Sequence, residues 1–197
     1  FPTAFGNTVL KNALREVNKD VRQGDFKKSG QMAAGITTMI GIASGISDSF
    51  LGGTGSAKGY ALYGNSGNLF TSGSGSSYGS SLSVGDILGV AMDLDNNKLY
   101  FSKNGTFHNS GDPTSGATGT GAISIDAVSS TTLGAYFFAV GAYHYTPRYN
   151  FHANFGNGYF ATTAVSSAGT NASNIGIFEY DVPAGYTALS TKGINSF

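Results

Sequence analysis

The sequence predicts an all-β protein, a sandwich of antiparallel sheets. Three observations predict it. The 197 residues include 30 Gly, and Ser, Thr, Ala and Asn fill much of the rest, which suits a chain of tight turns. Aromatic residues reach 13% through 14 Phe and 11 Tyr without any Trp, far above what a disordered chain carries. Apolar runs are short and separated by polar, Gly-rich segments, and no long helical pattern interrupts them. A closed barrel is the second choice. The length suits one domain with a sizeable core, so a single domain over residues 1–197 is expected.

The elements follow in order. Residues 8–22, TVLKNALREVNKDVR, place Val9, Leu10, Ala13, Leu14 and Val17 on one helical face, although TVLK and LREV also read as two short strands. Residues 36–45 are apolar and β-branched and end in Gly, which predicts a buried strand. Residues 59–70 give two short strands around GNSGN, a hairpin signal. Residues 71–80, TSGSGSSYGS, read as a flexible loop or a linker within a hairpin. The stretch GDILGVAMDLDNNKLYFSKNG, residues 85–105, alternates apolar residues on both sides of DNNK and closes on KNG. It predicts a strand, a tight turn, a returning strand and a second turn, because Asn and Gly accept positive φ. Residues 108–121 form a long polar loop. AISIDAV and GAYFFAVGAY follow as strands, and a second polar loop at 166–174 leads to IGIFEYDVPAGYTALS.

Composition removes several function classes. Net charge is zero, although residues 1–28 hold six of the eleven basic residues (Lys11, Arg15, Lys19, Arg22, Lys27, Lys28) against three acids. A nucleic-acid binder carries a stronger basic face, so no nucleic-acid partner is expected. The basic segment 1–28 is expected to pack on an acidic neighbour. The chain has no Cys, which excludes disulfides, thiol nucleophiles and Cys-ligated zinc. No run approaches the roughly 18 apolar residues of a spanning helix, so no membrane insertion is expected.

Candidate chemistry is sparse. Asp93 and Asp95 sit two apart in a strand and would share a face, the spacing of a carboxylate pair for glycoside hydrolysis or Ca²⁺. The favoured reading is structural, with Asp95 capping the DNN turn and Asp93 facing solvent or a backbone donor. His108, His144 and His152 read as exposed loop residues. His144 and His152 flank YTPRYNF and would approach each other only if that segment folds back, which leaves no complete ligand set. No metal and no cofactor are expected, and no catalytic residue is assigned. No Gly-x-Ser-x-Gly elbow is present, and the Gly-rich run at 73–79 precedes no helix. Asn104-Gly-Thr and Asn171-Ala-Ser are glycosylation sequons.

The densest candidate surface is AYHYTPRYNFHANF. Tyr143, His144, Tyr145, Arg148, Tyr149 and His152 offer apolar area with polar edges, the chemistry of protein and sugar recognition. Tyr60, Tyr63 and Tyr78, with Phe70, form a second aromatic group.

Four stretches in this order, MIGIAS (39–44), GDILGVAMDLDNNKLYFSKNG (85–105), NFG (154–156) and PAGYTAL (183–189), resemble the SPRY (B30.2-like) domain. The likeness spans roughly residues 20–192, and GYALYGNSGNLFTSGSGSSYG (59–79) is similar to the version in bacteriophage and marine-virus proteins. Where that family carries large aromatics after Ser-Gly, this chain has Met32, Ala33 and Ala34. The resemblance implies a bent antiparallel sandwich of the concanavalin-like jelly-roll kind, and strands in place of a helix at 8–22. It implies recognition through loops at one end, with no catalysis. The implied setting is a virion, as a tail fibre, spike or capsid decoration. Other virion structural proteins, or a host-surface glycan or protein, would be the partners, within a homo-oligomeric or larger assembly. The other expectation is a structural virion subunit that contacts sibling proteins only.

Overall fold

The computed structural model describes residues 27–33, 38–44, 50–54, 59–143, 151–166 and 176–190. The expectation for residues 8–22 lies outside them. In chain order the strands are β1 (Lys27–Ala33), β2 (Thr38–Ala43), β3 (Tyr60–Tyr63), β4 (Asn68–Thr71), β5 (Ser74–Ser77), β6 (Ile87–Asp93), β7 (Lys98–Lys103), β8 (Thr106–Phe107), β9 (Ile123–Ser124), β10 (Phe137–Ala142), β11 (His152–Asn154), β12 (Tyr159–Phe160), β13 (Thr163–Ala164) and β14 (Thr187–Ala188). The only helical pieces among the described residues are three short 3₁₀ turns between 108 and 130. The fold is all-β, as the composition predicts.

Two sheets make the sandwich. The larger runs β11-β1-β6-β7-β8, with β14 beside β1 and β9 beside β7; the smaller runs β10-β2-β3-β4-β5. All these pairings are antiparallel except β1 with β14. A separate two-stranded hairpin joins β12 to β13.

Residues 85–105 fold as the sequence predicts. β6 and β7 pair from Leu88↔Lys103 to Asp93↔Lys98, and side chains alternate along both. Leu88, Val90, Met92, Leu99 and Phe101 face the smaller sheet and pack with Ile40, Ile42, Tyr60, Leu62 and Leu69. Ala91 and Tyr100 face the other way and are covered by Phe178, Val182, Tyr186 and Ala188. The hairpin is therefore buried on both faces. The chain folds residues 178–188 back over the larger sheet to achieve this. Truncating Leu99 or Phe101 would leave a void at the centre, at a cost of about 2–5 kcal/mol.

The turns confirm the Asn-Gly reading. Asn97 (φ 55), Asn104 (φ 48) and Gly105 (φ 81) all take left-handed backbone. Consecutive positive φ at 104 and 105 gives the twist that joins two right-handed strands in a two-residue turn. Gly105 is also sterically required, because an added Cβ would lie 2.7 Å from the Tyr180 ring.

Several expectations are corrected. Residues 74–77 are not a linker: Ser72 (φ 50) and Gly73 (φ 78) make a tight turn, and β5 pairs with β4 from Thr71↔Ser74 to Asn68↔Ser77. Backbone pairing compensates for the missing apolar side chains there. Asp93, and not Asp95, caps the DNN turn, and it meets the backbone donor expected of it. Asp93 is 1% exposed and accepts from Asn96 N at 3.1 Å and Asn96 Nδ2 at 2.9 Å, while Asp95 is exposed in the turn. They do not share a strand face, because β6 ends at Asp93. His108 is not an exposed loop residue. It is buried against Tyr78 and Gly79, with ring centroids 6.2 Å apart for the Tyr78 pair. AISIDAV pairs only at Ile123–Ser124, and IGIFEYDVPAGYTALS only at Thr187–Ala188 within the named strands, since both segments cover sheet edges and faces more than they extend them.

Candidate functional site

The register places the site. Ala33 of β1 pairs with Ile87 of β6 on one side and His152 of β11 on the other, so these three positions form a row across one end of the larger sheet. Ile87 follows the outward alternation of Ala91, on the face crossed by residues 178–180. The Asn104-Gly105 turn stands beside it. A groove of about 500 Å³ opens here, lined by Gly85, Ile87, Asn104, His152, Phe160, Thr163, Ala164, Ser166, Glu179 and Tyr180.

A polar clamp holds one wall. Asp86 Oδ2 accepts from Ser83 N at 2.6 Å and pairs with Lys103 Nζ at 2.8 Å, and its Oδ1 accepts from Asn104 Nδ2 at 2.7 Å. Asn104 Oδ1 in turn accepts from Ile87 N at 2.9 Å, and Lys103 Nζ donates to Ser81 O at 2.8 Å. Partial burial pushes the Asp86 carboxyl up, but Lys103, Ser83 N–H and the Asn104 amide together outweigh it and hold the group below its ordinary value.

Glu179 forms the floor. It is 9% exposed; Oε2 accepts from Ser166 N at 2.6 Å and Oε1 from the Ser166 hydroxyl. This carboxylate ties the segment after β13 to the segment that covers the sheet. Its hydrogen bonds orient the loop. Among the described residues, no three His, Asp or Glu side chains gather at metal-binding distance.

Beside the groove lies an apolar rim. Phe155, Tyr159 and Ile177 are 46%, 47% and 49% exposed. Their neighbours in sequence, Asn154, Phe160 and Phe178, are buried, so alternation turns these three outward. Ile177 N donates to Gly156 O at 2.9 Å, Asn154 Nδ2 donates to Ile177 O at 3.0 Å, and Asn157 bridges to Ile177, which brings the two segments together.

The predicted site residues divide. His152 is exposed and lines the groove. Tyr143 lies elsewhere, in a cluster with Phe50, Tyr63 and Phe70, at centroid distances of 4.8, 5.0 and 6.2 Å respectively. His144, Tyr145, Arg148 and Tyr149 lie outside the described residues. The chain leaves the smaller sheet at β10 and re-enters the larger at β11, so Tyr143 and His152 root the segment on different sheets. Tyr63 joins Tyr143, so one residue from each predicted group meets. Tyr60 and Tyr78 do not form a surface. Tyr60 is 8% exposed and exchanges hydrogen bonds with Asp126 (OH to Oδ2 at 3.1 Å, backbone N to OH at 3.0 Å). Tyr78 packs on the core and donates to Gly121 O at 3.1 Å, and burial pushes its phenol up to about 12. Sequence reasoning missed Glu179, Ser166 and the rim. The alternation in NFGNGYF and GIFEY carried that signal.

A family model described as SPRY domain matches residues 18–125, more than half of the chain. The motifs NFG and PAGYTAL lie beyond the matched span. The chain is also similar to the crystal structure of the SPRY domain of human HERC1, with 16% identity and a TM-score of 0.43 over 60% of this chain and 68% of that one. No curated protein matches the chain.

Proposed function

The chain belongs to the SPRY domain family, and on that premise we propose that it is a recognition module, without catalysis of its own, that docks a protein partner on the groove and its apolar rim and serves on a phage-like virion. SPRY domains typically mediate protein–protein interaction and are generally non-catalytic. The observation that carries the site is the rim: Phe155, Tyr159 and Ile177, each nearly half exposed, lie on the two segments that also supply Phe160, Ser166 and Glu179 to the groove. Exposed apolar groups on neighbouring segments mark interaction surfaces, and a Tyr among them supplies area with a polar handle. The virion setting is supported by the likeness of residues 59–79 to phage and marine-virus sequences and by the low charge of 11%, which suits a packed assembly.

The test compares host-cell and glycan-array binding of the multivalent domain with two variants. One carries Tyr159→Ala and Ile177→Ser; the other carries Tyr145→Ala, Arg148→Ala and Tyr149→Ala. Loss of cell binding in the rim variant supports the proposal. Loss only in the loop variant moves the contact to residues 143–152, and glycan binding makes the ligand a sugar. No binding by the parent sinks host recognition and leaves attachment to sibling virion proteins, read by cross-linking from position 159 within the particle.

A further inference from the structure

Two Asn-Gly dipeptides lie in the described chain, Asn104-Gly105 and Asn157-Gly158, and the structure treats them differently. Asn-Gly is the dipeptide most open to intramolecular attack on the side-chain amide, because Gly places no side chain over its own nitrogen. At Asn104 both ends of the amide are held: Oδ1 accepts from Ile87 N at 2.9 Å and Nδ2 donates to Asp86 Oδ1 at 2.7 Å. At Asn157 only Oδ1 is held, by Tyr159 N at 3.2 Å, and the residue is exposed. That bond withdraws electron density from the amide carbon. The amide nitrogen, which must leave, makes no hydrogen bond among the described residues.

We propose that Asn157 is a modification site of this protein, one that deamidates in the folded state while Asn104 is guarded by its clamp. The Gly158 backbone nitrogen loses its proton and bonds to Asn157 Cγ. The Cγ–Nδ2 bond breaks and the nitrogen departs as ammonia, carrying that proton. The resulting succinimide takes up one water and opens at either carbonyl, to aspartate or isoaspartate. No oxidant or reductant is needed. The backbone must yield at the left-handed Gly158 (φ 81), which is buried and accepts from Val165 N at 2.9 Å, and at the bridge of Asn157 to Ile177. At Asn104 the same step must also break the bond from the leaving nitrogen to the Asp86 carboxylate.

Either product places a negative charge between Phe155 and Tyr159, and isoaspartate adds a backbone methylene as well. Deamidation would then act as an irreversible timer on the apolar rim. Only this consequence rests on the partner reading above; the chemistry does not.

The experiment incubates the purified protein at mildly alkaline pH, folded and in urea, and quantifies aspartate and isoaspartate at each site by peptide mass mapping. Asn157→Gln marks the assignment, and Asp86→Ala opens the clamp. In the folded protein, conversion at Asn157 should exceed that at Asn104 on the order of tenfold, the factor one charge-assisted hydrogen bond supplies. In urea the two rates should converge, and Asp86→Ala should raise the Asn104 rate in the folded protein. Equal rates when folded, faster conversion at Asn104, or no conversion at Asn157 would each overturn the proposal. Cell binding by Asn157→Asp, measured separately, tests only the effect on the rim.

Discussion

Asp86 and Asn104, eighteen residues apart in the chain, face each other at the mouth of the groove, with Asn104 Nδ2 donating to Asp86 Oδ1 at 2.7 Å. The contact joins the turn before β6 to the turn after β7. It explains why an Asp opens the hairpin and an Asn-Gly closes it: the carboxylate also takes Ser83 N–H and Lys103, and the Asn also takes Ile87 N–H.

Asp86→Asn should lower stability at neutral pH by about 1 kcal/mol, the scale of a surface ion pair with its hydrogen bonds. The folded-state carboxyl titrates below its ordinary value of 3.8. Its contribution is therefore present above that value and lost as pH falls through the lower folded-state value. Urea unfolding across a pH series should show the gap between variant and parent closing in acid. A constant gap would mean that the charge is not its source.

His108 should make the fold sensitive to mild acid. Burial, and secondly the charge of Lys103, hold its imidazole below the ordinary 6.5, and Nε2 has no hydrogen-bond partner among the described residues. The unfolded chain takes up a proton as pH falls through about 6.5, while the folded chain resists it. Stability then falls with pH until the folded-state value is passed. Tm of the parent should drop across this window, and His108→Gln should flatten the slope. The other groups about it are Tyr78 and Lys103.

Leu99→Ala should cost about 2–5 kcal/mol, because Leu99 is 0% exposed between the two sheets. Tyr159→Ala, on the exposed rim, should stay within about 0.5 kcal/mol of the parent. Chemical denaturation separates the two. A large loss at Tyr159 would make the rim structural and weaken its reading as a docking surface.

Tyr186→Phe should destabilise by about 1 kcal/mol, since the phenol donates to Pro113 O at 3.2 Å in a buried setting. Burial first, and Asp93 second, push this phenol far above its ordinary value of 10. A spectroscopic alkaline titration should show it un-ionised until the fold opens.

Much of the scaffold was legible from local rules. The alternation of Leu88, Val90 and Met92, and of Leu99 and Phe101, specifies two paired strands, because a period of two leaves one way to bury them. Asn104 and Gly105 specify their turn, because few residues accept two consecutive positive φ angles. The family stretches at 39–44 and 85–105 added the sandwich.

What only the tertiary structure decided is which polar groups are covered. Asp93 and Asp95 look equivalent in the chain. The first is buried where the 178–188 segment returns over the sheet, close enough for its charge to act on the Tyr186 phenol, and no local pattern encodes that return. Tyr60 and Tyr63 differ in the same way, one inside the sandwich and one outside, because strand parity sets direction but not which face meets the second sheet. The groove arises from four separate segments meeting at one sheet end, around Ile87, Asn104, His152 and Glu179. The sequence by itself determined the strands, the turns and their alternation, which follow from sterics between neighbours. The meeting of distant segments follows from burying a second face of the same hairpin, and that choice is made only in three dimensions.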